Sequence, residues 1–227
     1  MNTDAFTGRA QAYTIARPGY PDAAIEYICS LVPTDAVFAD IGAGTGKFTE
    51  CIAKHGYGIF AVEPNDDMRA ELVKTLASFP NATIVNGSAE ATTLSEKSVD
   101  VIANAQTLNR VDIDLFRAEC KRIGRQNPIV LTLFNVEKGE DNPRYIKSTS
   151  AFYRSPVVME FPNPVIFTRD MWLLYFLSME GVPMPTDPGY KAYTIELNEK
   201  FDHESKDGLL HLELVTKVYS ERIGVSL

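Results

Sequence analysis

Three glycines at alternate positions, Gly42, Gly44 and Gly46, follow a short apolar run that contains Asp40. Glycines spaced in this way allow a tight turn and let a ligand lie against the main chain. A helix pattern comes next, with Phe48, Cys51, Ile52 and His55 expected on one face and Gly56 as its stop. The start of that helix offers unpaired N–H groups to a polar or negative ligand group. Two ligand classes are disfavoured by the spacing. Gly46-Lys47 is followed by Phe48 rather than Ser or Thr, and the residue five before Gly46 is Ile41, so no phosphate-cradling P-loop is present. A GxGxxG dinucleotide fingerprint would need glycine where Lys47 stands.

A second chemical group lies 21 residues past Gly42. The apolar stretch Gly58-Ile59-Phe60-Ala61-Val62 reads as a buried strand ending in Glu63. In nucleotide-binding α/β folds, a carboxylate at this spacing accepts hydrogen bonds from ribose hydroxyls. If Glu63 holds the ribose hydroxyls, removing it should weaken ligand binding by roughly 1.5–3 kcal/mol and change the ligand-free stability little. Asn65 suits a helix N-cap, with Asp66 and Asp67 in the first turn and Met68, Leu72, Val73 and Leu76 facing inward.

The elements that must hold these groups alternate between strand and helix. Ala82–Val85 reads as a third strand, Ser98–Asn104 as a fourth, Asp112–Ile123 as a helix and Ile129–Phe134 as a fifth strand. Residues 135–190 break the alternation with seven prolines (143, 156, 162, 164, 183, 185 and 188), but Met171–Leu177 reads as a helix capped by Thr168. Ala192–Leu197 and Leu210–Tyr219 show period-two alternation and are expected to form an antiparallel pair closing the sheet.

Asp40-Ile41-Gly42-Ala43-Gly44-Thr45-Gly46 resembles the first motif of class I S-adenosylmethionine-dependent methyltransferases. Phe6-Thr7-Gly8-Arg9-Ala10, Tyr13 and Arg17-Pro18-Gly19-Tyr20-Pro21 resemble the N-terminal segment of small-molecule, type 11-like members. The resemblance covers residues 5–135 well and the last strands more loosely. It implies a Rossmann-like α/β fold with a mostly parallel seven-stranded sheet, helices on both faces and an antiparallel last strand. It also implies S-adenosyl-L-methionine as cofactor and a methyl transfer to an O, N or C nucleophile. Tyr13 and Arg17 would lie near the methionine end, beside Asp40, Gly42, Ala43, Gly44 and Gly46. Glu63 and Pro64 would flank the ribose, while Met68 and the Ser88-Ala89-Glu90 loop would border the adenine. Asn104, Ala105 and Gln106 would sit at the mouth shared with the acceptor.

The chain departs from this pattern at Asn109-Arg110-Val111, where many relatives read His-Trp-Phe, and at Lys121–Pro128, where relatives read Arg-Val-Leu-Lys-Pro-Gly-Gly. No base is therefore assigned; His203 and Tyr153 are candidates only because each can titrate or donate. The Asn/Asp-Pro-Pro-Tyr/Phe motif of base and glutamine methylators is absent from residues 104–107. A non-transferring S-adenosylmethionine- or S-adenosylhomocysteine-binding protein of the same fold is the alternative. A nicotinamide-dependent oxidoreductase is a weaker one, given Lys47.

The 227 residues suffice for one domain, with residues 1–20 as a cover and 135–190 as a lid-like insert over the methyl end. Tyr13, Tyr145, Phe152, Tyr153 and Trp172 are expected to build a dry aromatic wall there, and Arg17 and Arg110 to meet an acidic group of the acceptor. A net charge of −8 disfavours nucleic acid and leaves a small-molecule substrate. Cys29, Cys51 and Cys120 lack CxxC spacing, so no metal site is expected and a reducing cytoplasm is. No signal peptide or apolar run of membrane-spanning length is seen, and nothing specifies an oligomeric state.

Overall fold

The computed structural model describes residues 4–140 and 142–224. Parts of the expected cover (1–3) and insert (141) lie outside the described residues. Seven strands form one sheet in the order β3-β2-β1-β4-β5-β9-β6. Strands β1 (Val37–Ile41), β2 (Gly58–Val62), β3 (Ala82–Val85), β4 (Val99–Ala105) and β5 (Gly124–Glu137) are parallel. β9 (Leu214–Arg222) runs antiparallel between β5 and the edge strand β6 (Val157–Pro162). The order reverses between β1 and β4, which opens a crevice at the carboxyl ends of those strands.

Side chains alternate across the sheet and meet a helix layer on each face. On one face Phe38, Val101, Leu131 and Leu133 pack with Ile25 and Ile28 of α2 (Asp22–Ser30) and Phe48 and Ile52 of α3 (Lys47–Lys54). On the other, Ile102, Val130 and Phe134 meet Phe116 and Ile123 of α5 (Ile113–Ile123) and Phe152 of α6 (Pro143–Phe152). Leu72 and Leu76 of α4 (Asp66–Leu76) cover Ala61. Burying each large apolar side chain contributes roughly 1.5–3 kcal/mol.

The local capping signals hold. Asn65 accepts from Met68 N, Asp112 from Asp114 N and Leu115 N, and Thr168 from Met171 N. Two helix faces need correction. His55 is the exposed C-cap of α3 and Cys51 only half-buried, whereas Ala53 is buried. Val73 is 56% exposed, because its position turns away from the Leu72–Leu76 stripe.

The expected strand Ala192–Leu197 lies within helix α8 (Tyr190–Glu204). The sheet partner expected there is supplied by β6, from inside the 135–190 stretch. Leu210–Tyr219 divides between β8 (Leu210–Leu212), which pairs with β7 (Val165–Phe167), and β9. Beside them, Phe167, Trp172 of α7 (Arg169–Leu177), Phe201 and Leu210 make a separate apolar cluster. Trp172 Nε1 donates to Leu197 O at 3.0 Å and ties α7 to α8.

The Lys121–Pro128 departure lengthens β5 at its start. Gly124 serves because a Cβ there would lie 2.5 Å from Pro128 Cγ and 2.8 Å from Cys120 O. Among the described residues, no helix is long and apolar enough to cross a membrane.

Candidate cofactor and acceptor site

The glycine loop leaves β1 and folds back on β2: Gly42 N and Ala43 N both donate to Val62 O, at 2.9 and 3.0 Å. Gly42, Gly44 and Gly46 all have positive φ, at 73°, 57° and 92°. A Cβ on Gly42 would meet the Thr107 side chain at 2.6 Å, and one on Gly46 would meet Leu72 Cδ1 at 2.7 Å. Gly44 faces open space, so its main chain is left clear.

Glu63 spans the two loops at the top of the sheet. Its Oε2 accepts from Gly44 N at 2.8 Å and its Oε1 from Asn65 N at 2.9 Å. The residue is only 6% exposed. Burial raises its pKa, against the opposing effect of those N–H groups and of Arg69. Arg69 shapes the same turn by donating to Glu63 O and Pro64 O. Asp40 lies deeper, with Oδ2 accepting from Thr49 Oγ1 at 2.6 Å. Burial pushes its pKa up to about 7.

Three adjoining lobes open over this floor. The inner lobe, about 320 Å³, is bounded by Gly42, Gly44, Glu63, Pro64, Met68 and Gln106. A narrow lobe of about 70 Å³ runs along Arg17, Tyr20, Ala43, Thr45 and Lys47. An outer lobe of about 460 Å³ is bounded by Arg110, Asn135, Glu137, Arg144, Tyr145 and Tyr175. Tyr13, Gly42, Ala105 and Gln106 border both the inner and the narrow lobes.

Several expected site residues stand elsewhere. Gly46 lines no lobe and is the left-handed N-cap of α3. Ser88, Ala89 and Glu90 line none of the three; Glu90 accepts from Asp112 N instead. Asn104 is fully buried, donating to Leu131 O and accepting from Thr132 Oγ1. Tyr153 is buried and hydrogen-bonded to Thr132, Phe152 packs in the sheet core, and Trp172 fills the separate cluster. Of the expected aromatic wall, Tyr13 and Tyr145 line the cavity. His203 is exposed near the end of α8, and neither it nor Tyr153 borders a lobe.

The roof comes from α1 (Ala10–Ala16) and α7. Arg9 donates to Leu177 O and Val182 O. Arg17 donates from Nε to Ser178 Oγ at 2.8 Å, with its guanidinium 5.2 Å from the Tyr13 ring centroid and 4.9 Å from that of Tyr175. Three contacts hold this segment down on the loops: Lys47 Nζ donates to Thr14 O at 2.9 Å, Gly8 N to Asp67 Oδ2, and Asn65 Nδ2 to Thr7 Oγ1. Nothing local in the sequence marks Arg9 or Asp67 for these contacts. Lys47 alone carries a signal, as a long cation at the third position of the dinucleotide fingerprint.

Among the described residues, four buried polar atoms have no hydrogen-bond partner: Asp40 Oδ1, Thr45 Oγ1, Gln106 Nε2 and Asn109 Oδ1. Buried polar groups are ordinarily satisfied. Thr45, Gln106 and Asn109 line the lobes, so a polar ligand there meets this need. An adenosyl group with a charged amino-acid tail suits the donor set, with Glu63 at one end and Arg17 at the other.

The fold is the Rossmann-like, mostly parallel sheet seen in solved methyltransferase structures. Residues 39–132 match a family model described as a methyltransferase domain. It is 34% identical over 107 residues to an uncharacterized methyltransferase of Mycobacterium tuberculosis, covering 47% of this chain and 42% of that one. The match thus spans less than half the length of that relative. Among solved structures, the [4+2]-cyclase SpnF superposes with a TM-score of 0.62 at 12% identity, covering 98% of this chain and 94% of that one. A Haemonchus contortus phosphoethanolamine N-methyltransferase, solved with phosphomonomethylethanolamine and S-adenosylhomocysteine, gives 0.54 at 14% identity, covering 95% of this chain and 56% of that one. These two likenesses speak to the fold.

Proposed function

We propose that this chain binds S-adenosylmethionine across the inner and narrow lobes and transfers its methyl group to a small molecule held in the outer lobe. The observation that carries this reading is the placement of Glu63 and the glycine loop beside a cavity of about 320 Å³ that continues into a second chamber. Gly42, Gly44, Glu63, Pro64 and Met68 hold the adenosyl part; Tyr13, Arg17, Ala43, Ala105 and Gln106 hold the amino-acid tail. Asp40 supports the loop from beneath. When bound, the cofactor supplies an electrophilic methyl on a sulfonium, which becomes a neutral thioether as the acceptor's lone pair takes that methyl. The protein orients the acceptor and excludes water. Residues 4–20 and α7 form the cover; excluding water there favours transfer as the sulfonium loses its charge, and aromatic faces attract the cationic centre before it reacts. The net charge of −8 supports a small metabolite over nucleic acid, and three free cysteines are in keeping with a reducing compartment.

Calorimetry with S-adenosylhomocysteine and NAD tests the cofactor. Binding of the first alone is expected, and the reverse result overturns the proposal. A reading without methyl transfer draws on one observation: a [4+2]-cyclase shares the fold. Release of S-adenosylhomocysteine from S-adenosylmethionine in the presence of an acceptor separates the two.

A further inference from the structure

We propose that the outer lobe selects a small organic acid, carrying one carboxylate or phosphate group, through Arg110 and Arg144, and that Glu180 occupies Arg110 until the acid replaces it. This deepens the methyl-transfer reading and rests on it.

Arg110 comes from the 3-10 turn Leu108–Arg110 and Arg144 from the first turn of α6. Both line the inner and the outer lobes, so both stand at the boundary where an acceptor meets the cofactor. Their states differ. The Arg144 guanidinium makes no hydrogen bond or ion pair among the described residues, and the residue is exposed. Arg110 is held on two sides: its guanidinium lies 4.7 Å from the Phe6 ring centroid and is ion-paired with the Glu180 carboxylate. Stacking on a ring leaves the in-plane N–H groups of a guanidinium directed outward, in the fork that matches a carboxylate or phosphate.

The Glu180 carboxylate therefore stands where a ligand's anionic group would bind. The pair is partly wet, with side chains 28% and 41% exposed. Ion pairs of this kind contribute little to stability, because water and salt compete with them. An incoming acid then exchanges one anion for another at small cost.

Two further features narrow the ligand. Glu137 and Glu140 also line the outer lobe, and their repulsion disfavours a polyanion. Asn109 borders both lobes with its buried Oδ1 unpartnered, so the acid should also carry a polar group at the boundary.

Matched probes test this with S-adenosylhomocysteine at saturation. Thermal shift and calorimetry would compare 4-hydroxybenzoate with 4-hydroxybenzamide, 3-phenyllactate with its amide, and O-phosphoethanolamine with ethanolamine; citrate would serve as the polyanion. At least one acid or phosphate ester should bind while its neutral or cationic counterpart and citrate do not, and which pair responds tells carboxylate from phosphate. Arg110→Gln and Arg144→Gln should each weaken that binding by roughly tenfold or more, the scale for hydrogen bonds to a charged group. Glu180→Gln should strengthen it. The melting temperature of each variant without acid reports its folding. Equal binding of acids and counterparts, or acid binding that survives the double Arg110→Gln, Arg144→Gln change, overturns the proposal. So does the absence of any acid binding while S-adenosylhomocysteine binds. If S-adenosylhomocysteine itself fails to bind, the methyl-transfer reading falls as well.

Discussion

The Glu63 carboxylate accepts the Gly44 N–H at 2.8 Å, joining the end of the second strand to the glycine loop of the first. A residue assigned to ligand recognition is thus also a structural clamp. Its other oxygen accepts from Asn65 N, where α4 begins. Each carboxylate oxygen keeps a further lone pair for a ligand hydroxyl.

This changes what removing Glu63 should do. Glu63→Ala leaves two N–H groups without their acceptor. It should destabilise the ligand-free protein by about 1.5–3 kcal/mol, the range for hydrogen bonds to charged groups. Glu63→Gln keeps an acceptor for one N–H and should lose less. Urea denaturation without ligand measures both losses. An Ala variant as stable as the parent would confine Glu63 to ligand binding.

Gly42 and Thr107 pack so closely that no side chain fits between them. Gly42→Ala places a Cβ 2.6 Å from Thr107 Cγ2, at φ 73°. The left-handed conformation alone costs roughly 1–2 kcal/mol for an L-residue. The variant should melt lower and bind cofactor poorly. Adding Thr107→Ala should recover part of the stability by relieving the clash, leaving the conformational cost. A double variant no better than Gly42→Ala would place the whole effect in the backbone.

Asp40 makes stability depend on pH. Its folded pKa, about 7, exceeds the ordinary carboxylate value of 3.8. Between those values the folded state binds more protons than the unfolded state, so stability falls as pH rises. Asp40→Asn, which can still accept from Thr49, should remove this component. The difference in unfolding free energy between variant and parent should grow in favour of the variant from pH 4 to 7 and level off above. A difference that stays flat across that range would show that Asp40 titrates normally.

Lys47 joins α3 to the roof by donating to Thr14 O, in the last turn of α1. Terminal helix carbonyls lack intrahelical partners, and a cation there also opposes the helix dipole. Burial lowers the Lys47 pKa, so its charge is already partly desolvated. Lys47→Met should loosen the N-terminal segment while sparing the sheet. Hydrogen exchange should rise in residues 10–16 and change little in β1 and β4. Uniform protection across α1 would show that Arg9 and Arg17 hold the roof without it.

Much of this organisation was legible because it is local. The turn after β1 needs glycines at positive φ, and Gly42, Gly44 and Gly46 are spaced to supply them. Helix starts were readable from Asn65, Asp112 and Thr168, since an N-cap acts over three residues. Asn104 was harder. It adjoins Ala105 and Gln106 at the end of β4, but strand alternation turns its side chain into the core, where Leu131 O and Thr132 receive it.

The later elements depended on the assembled molecule. Ala192–Leu197 alternates over six residues as a strand does, yet it belongs to a 15-residue helix that buries Leu197 and Phe201 beside Trp172. β9 pairs instead with β5 and with β6, an edge strand with Val157, Val158 and Met159 all at least 40% exposed, so no buried face marked β6 in the chain. The pairing of Arg110 with Glu180 and the reach of Lys47 to Thr14 join residues distant in sequence. The glycine loop, the acid after β2 and the parallel alternation could be read from the chain alone, because each is set by backbone conformation within a few residues. Which charges meet at the cavity and what roofs it depend on the assembled fold, because those contacts exist only once the sheet has brought the ends of separate elements together.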